Sequence, residues 1–280
     1  MNGKICLVTG ATHGIGLITA RALAAAGATV LVHGRDAALA ESVAAGIGRE
    51  SGNRAVRFVQ ADFARLAEVR RLGAEFAASF PRLDVLINNA GTMGAARTRT
   101  ADGYDRTFAV NHLAPFLLTN LLLGKLTQSA PARVIVVASE AHRRARFDFG
   151  DLMNARVGFL TAYQRSKLAN VLFTRALARR LAGSGVTVNA LHPGFVRSHL
   201  FHGSPALVRL VLATAARPFM RSAEEGAETS VYLATSPEVE GRSGGYYRGC
   251  RPVAPSRAAQ CDEDAARLWD ESARLTGLAA

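Results

Sequence analysis

Lysine is nearly absent from this chain of 280 residues. Of its 34 basic residues only Lys4, Lys125 and Lys167 are lysines, which leaves 31 arginines. The formal net charge of +12 is therefore an arginine bias spread along the chain, with only short clusters such as Arg143-Arg144-Ala145-Arg146. No basic run is interleaved with aromatics and no helix-turn-helix pattern occurs, so nucleic acid is not an expected partner. Cysteine is scarce too. Cys6, Cys250 and Cys261 are odd in number and widely spaced, which excludes a disulfide framework and a zinc site and fits a reducing cytoplasm. No metal is expected. No apolar run reaches the roughly 18 residues of a membrane span. The longest, 113–123, is broken by Pro115, Thr119 and Asn120. Lys4 is followed at once by an apolar run, so no signal peptide is expected either. Repeats, low-complexity segments and linkers are missing, which predicts one domain over 1–280.

What the chain has instead is alternation. Apolar runs at 5–8, 28–32, 56–60, 83–87, 133–139 and 186–191 alternate with helical patterns, and Gly244-Gly245-Tyr246-Tyr247 starts a further edge strand. The expected fold is α/β, a single-domain Rossmann-type doubly wound parallel sheet of about seven strands flanked by helices. Residues 1–135 form its mainly cofactor-binding half and 136–280 its catalytic and substrate half. The first strand runs into Thr9-Gly10-Ala11-Thr12-His13-Gly14-Ile15-Gly16 and then a helix. Glycines at such a turn let the backbone approach a pyrophosphate at the helix N-terminus. No Gly-Lys-[Ser/Thr] follows, which excludes a P-loop. His13 reads either as a phosphate neighbour or as a structural loop residue.

The second strand ends at His33-Gly34-Arg35-Asp36. Gly34 stands where an acid would bond an adenosine ribose, and Arg35 suits a 2′-phosphate, so NADP(H) is expected over NAD(H). Asp36 reads either as a helix cap or as a ribose partner. Asn88-Asn89-Ala90-Gly91 lies at the carboxyl end of the fourth strand, where ligands bind in open α/β sheets. A long helix is expected over 100–125, bent at Pro115. Ser139 ends the fifth strand and reads as a turn residue or as part of a site.

Tyr163 and Lys167 stand four apart in a helix expected over 161–181, so phenol and ammonium share one face. A cation beside a phenol favours the phenolate, and such a pair can exchange a proton with a carbonyl or alcohol oxygen. The segment 197–222, apolar and arginine-rich, reads as a lid, or equally as a membrane-surface or dimer helix. A tail helix over 262–275 carries Trp269 on its apolar face.

In this order, Thr9-Gly10-x-x-x-Gly14-Ile15-Gly16, Asn88-Asn89-Ala90-Gly91, Asn111, Ser139, Tyr163-x-x-x-Lys167 and Pro193-Gly194 resemble the short-chain dehydrogenase/reductase family over essentially the full length. Val110-Asn111-His112-Leu113-Ala114-Pro115, Ser166-Lys167-Leu168-Ala169-Asn170 and Leu268-Trp269-Asp270 are similar to its retinol-dehydrogenase-like branch. The membrane-anchoring N-terminus of many such enzymes has no counterpart here, and a soluble cytoplasmic protein is expected. Ala138-Ser139 replaces the more usual Ser-Ser pair.

The resemblance implies roles. Tyr163 is the acid in reduction and the base in oxidation. Lys167 lowers its pKa and binds the nicotinamide ribose. Ser139 bonds the substrate oxygen, and Asn111 anchors a water that relays protons through Lys167. Gly10, Thr12, His13, Gly14, Ile15, Gly16 and Arg35 hold the phosphates. Asp62 and Phe63 border adenine, and Asn89, Ala90 and Gly91 flank the adenosine. Pro193, Gly194, Val196 and Ser198 line the nicotinamide, the last two at its carboxamide. His142, Phe147, Phe149, Phe159, Phe195 and His199 are the expected pocket contributors, with Arg143, Arg197 or Arg209 as possible carboxylate partners. The Asn111 and Tyr163 helices pair subunits in many relatives, so a homodimer or homotetramer is expected. The resemblance implies an oxidoreductase interconverting an aldehyde or ketone and an alcohol. The alternatives are an NAD(H)-dependent alcohol dehydrogenase, an NADP(H)-binding scaffold without turnover, and a dehydratase or epimerase.

Overall fold

The structure, a computed structural model, describes residues 1–95, 98–196 and 220–278. Almost all of the expected lid, and with it Arg197, Ser198, His199 and Arg209, lies outside the described residues. In chain order the elements are β1 (Ile5–Val8), α1 (Gly14–Ala25), β2 (Thr29–Gly34), α2 (Ala37–Ser51), β3 (Val56–Gln60), α3 (Leu66–Ser79) and β4 (Val85–Asn88). Then come α4 (Arg106–Phe108), a π-helical turn (Ala109–Leu113), α5 (Ala114–Leu121), α6 (Leu123–Gln128), β5 (Ala132–Val137), α7 (Phe159–Arg180) and β6 (Val186–His192). The chain closes with α8 (Ala223–Thr235), β7 (Tyr246–Arg248), β8 (Arg251–Pro252) and α9 (Asp262–Thr276).

The sheet order is β3-β2-β1-β4-β5-β6-β7-β8. Every pairing is parallel except β7 with β8. The strand order reverses between β1 and β4, which opens a crevice at their carboxyl ends. The sheet has eight strands rather than about seven. The extra one is the two-residue β8, folded back on β7 after Gly249 (φ +56°) and Cys250 (φ +60°). Buried apolar residues fill both faces of the sheet, as its parallel strands require.

The helix expected over 100–125 is broken. Gly103 turns at φ +81°, Asp105 caps α4 by accepting from Phe108 N–H, and the backbone takes π geometry over Ala109–Leu113. Pro115 explains the last feature. It brings no N–H to the turn, so regular i→i−4 bonding fails where it would reach the Asn111 carbonyl.

The tail helix α9 lies across α5 and α7. Trp269 meets the rings of Phe116 (4.9 Å) and Phe173 (6.0 Å), and the Arg180 guanidinium stacks on it at 4.0 Å. The chain's own tail thus covers part of the helix faces expected to pair subunits. No helix among the described residues is long and apolar enough to cross a membrane.

Candidate active site

The crevice at the strand ends is a cavity of about 1020 Å³, and it gathers residues from most of the chain. One wall is the turn between β1 and α1. Gly10 (φ +61°) passes so close to Ala90 that a Cβ would sit 2.8 Å from the Ala90 Cα, and a Cβ on Gly16 would meet Asn89 Nδ2 at 2.4 Å. Thr9 and Asn89 clasp this turn. Thr9 Oγ1 accepts from the amides of Asn89 and Ala90, and Asn89 Nδ2 donates to the carbonyls of Thr9 (2.7 Å) and Gly10 (3.0 Å). Asn89 therefore braces the cradle rather than only flanking a ligand. The first turn of α1 has no side-chain cap and no acidic residue. Its amides and dipole suit a pyrophosphate.

At the far end lie Arg35, Asp62 and Phe63. Asp36 resolves to a helix cap, accepting from Leu39 N–H at 3.0 Å. Gly34 has no room for the acid that would hold a ribose, since its Cβ would lie 2.6 Å from Thr12 Cγ2. Arg35 is left as the charged side chain of that strand end. The residues present thus fit a dinucleotide bearing a 2′-phosphate.

The other end of the cavity holds the expected constellation. Tyr163 and Lys167 come from the buried face of α7, and Ser139 from just beyond β5. Ser139 is both things that its position allows. Its Oγ caps the following turn by accepting from Ala141 N–H, and it lies close enough to the Tyr163 phenol to favour the phenolate. Lys167 Nζ donates to the Val137 carbonyl at 2.9 Å and lies 5.7 Å from the Tyr163 ring centroid. Burial pushes the Tyr163 phenol up to about 12, with Ser139 pulling it down, and burial brings Lys167 down to about 8. Burial is the largest influence on the phenol in this arrangement. The phenol is protonated at neutral pH, the form that an acid needs.

Asn111 is fully buried and stands behind the cavity wall. Its Oδ1 accepts from Thr92 N–H (2.7 Å), and its Nδ2 donates to the Thr92 carbonyl and Ser166 Oγ, each at 2.9 Å. The side chain is committed to bracing, so any water anchored there is left to the main-chain carbonyl.

His142 corrects another expectation. It does not line the cavity. Its Nδ1 bonds the Ser139 carbonyl (2.7 Å), its Nε2 accepts from Ser256 N–H (3.1 Å), and its ring packs edge-on against Tyr246. Phe147 and Phe149 stack on each other against the core, and Phe159 begins α7 outside the cavity lining. Arg143 is paired with Glu140. His13, Ile15, Pro193, Gly194, Phe195 and Val196 do line the cavity.

Sequence reading misses His33, His192, Met93 and Arg106 in these walls. His192 Nδ1 accepts from the Glu140 amide, and burial holds its pKa down at about 4. Val110 lies one turn beyond Arg106, a helical spacing that marks both as one wall.

The short chain dehydrogenase family profile matches residues 4–206. The chain belongs to the short-chain dehydrogenase family. It is 44% identical over 295 residues to human retinol dehydrogenase 14, covering 99% of this chain and 88% of that one. It is 45% identical to bovine dehydrogenase/reductase SDR family member 13, covering 99% and 74%. These relatives place it in the retinol-dehydrogenase-like branch of the short-chain dehydrogenases. Among solved structures, an uncharacterised protein from Mycobacterium paratuberculosis superimposes with TM-score 0.80 at 35% identity, over 99% of this chain and 94% of that one. The NADP active-site complex of Pseudomonas aeruginosa RhlG does so with TM-score 0.70 at 30% identity, over 88% and 94%.

Proposed function

We propose that this short-chain dehydrogenase interconverts an aldehyde or ketone and an alcohol on an apolar, ring-sized molecule with NADP(H) as cofactor. The observation that carries the reading is the Ser139–Tyr163–Lys167 cluster in the same cavity as the α1 N-terminus and Arg35. The complex of RhlG with NADP supports the cofactor choice. NADP(H), when bound, supplies or takes up the hydride. The glycine turn and α1 hold its pyrophosphate, Arg35 its 2′-phosphate, and the 193–196 loop its nicotinamide end. Tyr163 donates its phenolic proton to the substrate oxygen in reduction and receives it back in oxidation. Ser139 Oγ donates to the same oxygen, stabilising the charge that develops there. Lys167 supplies the cation beside them. Met93, Val110, Leu160 and Phe195 give the substrate end its apolar character. Three free cysteines fit a cytoplasmic setting.

The test is loss of NADPH absorbance across a panel of aldehydes and ketones, with Tyr163→Phe as control. The wild type turns over and Tyr163→Phe binds NADPH without turnover. A Tyr163→Phe variant of near-normal rate would remove the assigned acid.

A further inference from the structure

The peptide that follows Ser139 is held by a histidine on each side. Its carbonyl, that of Ser139, accepts from the His142 amide at 3.1 Å and bonds the His142 ring Nδ1 at 2.7 Å. Its N–H, that of Glu140, donates to His192 Nδ1 at 3.2 Å. One ring comes from the turn after β5 and the other from the end of β6. The proton transfer itself uses neither.

Main-chain partners fix both tautomers. The Ser256 amide can only donate, so His142 Nε2 accepts from it and Nδ1 carries the proton that goes to the Ser139 carbonyl. The Glu140 amide can only donate as well, so His192 Nδ1 accepts and its proton lies on Nε2. Both rings are therefore neutral, the form that burial favours by lowering their pKa values.

The turn that carries this peptide is itself pinned to the segment before the tail helix. His142 reaches Ser256, and Arg143 Nη2 donates to the Ala254 carbonyl at 2.7 Å. The Glu140 carboxylate takes the Tyr246 hydroxyl (3.1 Å) on one oxygen and Arg143 Nε (2.7 Å) on the other. On the other flank of Ser139, the Ala138 amide donates to the Leu191 carbonyl at 2.8 Å. With the backbone fixed on both flanks, the Ser139 hydroxyl has only its staggered rotamers to choose from.

We propose that His142 and His192 are positioning residues for Ser139, setting the plane of the peptide after it and with it the direction in which Oγ meets the substrate oxygen. The inference rests on the reading of Ser139 as a donor to that oxygen. A misplacement on the order of 1 Å at such a donor is felt in the rate by up to about 100-fold.

The experiment splits the His142 ring into its two halves. An Asn amide overlays Nδ1 and can still donate to the Ser139 carbonyl, whereas a Gln amide overlays Nε2 and can still accept from Ser256. Steady-state kinetics on the carbonyl compound of the panel that is reduced fastest, with NADPH affinity by fluorescence, are measured in the full chain. His142→Gln should lower kcat by roughly 10-fold and His142→Asn by less than about threefold, with NADPH affinity within about twofold in both. His192→Leu should lower kcat by a similar factor, and His192→Asn, whose oxygen can take the Glu140 amide, should restore most of it. In a Ser139→Ala background His142→Gln should cost less than about twofold, because the group it aims is gone. A histidine that only held the fold would favour Gln, which keeps the distant Ser256 contact, and its cost would persist without the serine. Wild-type kcat in His142→Gln or His192→Leu, Asn losing as much as Gln, or a full cost in the Ser139→Ala background overturns the proposal. If Tyr163→Phe or Ser139→Ala keeps a near-normal rate, the functional reading falls and this inference with it. If both are crippled while the histidine variants keep the wild-type kcat, only the positioning role falls.

Discussion

The Gly10 amide donates to His33 Nδ1 at 3.1 Å, and His33 Nε2 bonds the Ala61 carbonyl at 3.1 Å. One imidazole therefore ties the glycine turn to the ends of β2 and β3. Because the Gly10 amide can only donate, Nδ1 must accept and the ring must be neutral. Burial enforces this by holding its pKa at about 4, and Phe63 packs on it at 4.3 Å. His33→Leu leaves the amide and the carbonyl without partners beneath the phosphates. The lost bond, about 1–1.5 kcal/mol, predicts a KM for NADPH raised by roughly tenfold with kcat within about twofold. Steady-state kinetics at varied NADPH check it, and an unchanged KM contradicts it.

The buried His33 and His112 and the half-buried His192 share that neutrality. Burial lowers His33 and His192 to about 4 and His112 to about 3. Their folded pKa values lie below the unfolded value, so the unfolded chain binds the extra protons. Stability is fully present above about pH 6.5 and falls as pH drops toward 4. Each histidine contributes about 1.4 kcal/mol per pH unit across that window. Urea titrations at pH 7, 6 and 5 should show the loss, and His33→Asn should make it shallower without removing it. A constant unfolding free energy from pH 7 to 5 contradicts the neutral assignments.

Tyr163 with Lys167, the glycine turn and the strand-end Ser139 are legible in the sequence because each depends on local spacing along one element. The parallel sheet follows from the alternation, whereas β8, whose two residues carry no pattern, does not. His33 and His192 are not legible as braces, since their partners Gly10, Ala61 and Glu140 become neighbours only when strands align. His142 misleads for the same reason: its position three residues after Ser139 points to the pocket, while Ser256, 114 residues away, draws its ring into the core.

Lys167 is buried as a cation with one carbonyl for partner. Its pKa is lowered to about 8, so the cost of the charged form is fully present below pH 8 and is relieved as pH rises toward 10.5. At neutral pH that cost is on the order of 3 kcal/mol. Lys167→Met should therefore abolish turnover while raising the thermal midpoint at pH 7, with the gain shrinking at pH 10. Scanning calorimetry at the two pH values decides it. A Lys167→Met protein less stable than wild type at pH 7 would show that the ammonium holds the fold.

Arg35 stands at the adenosine end with Asp36 already used as a cap and Gly34 closed to a larger side chain. Its charge-assisted contact is worth about 1.5–3 kcal/mol. Arg35→Ala should weaken NADPH binding by roughly 10–100-fold and leave NADH binding within about twofold. Fluorescence titration with both cofactors measures the ratio, and equal wild-type affinities would remove the phosphate contact.

The tail helix carries the last prediction. Trp269 fills the space between Phe116 and Phe173, Arg175 and Arg179 both reach Asp262, and the Tyr104 hydroxyl donates to the Leu275 carbonyl at 2.7 Å. Pairing two copies through the faces of the Asn111 and Tyr163 helices that α9 covers would require α9 to leave, which loses these contacts together with the His112–Ser272 bond. The chain should therefore run as a monomer of 29.6 kDa in light scattering. Trp269→Ala should cost about 2 kcal/mol, less than a fully buried tryptophan because the ring is partly exposed. A wild-type mass of twice the monomer would overturn this prediction, and hydrogen exchange would then locate the interface. Protection of α9 unchanged by dilution would keep the tail in place, whereas protection lost with the dimer would put α9 itself in the interface.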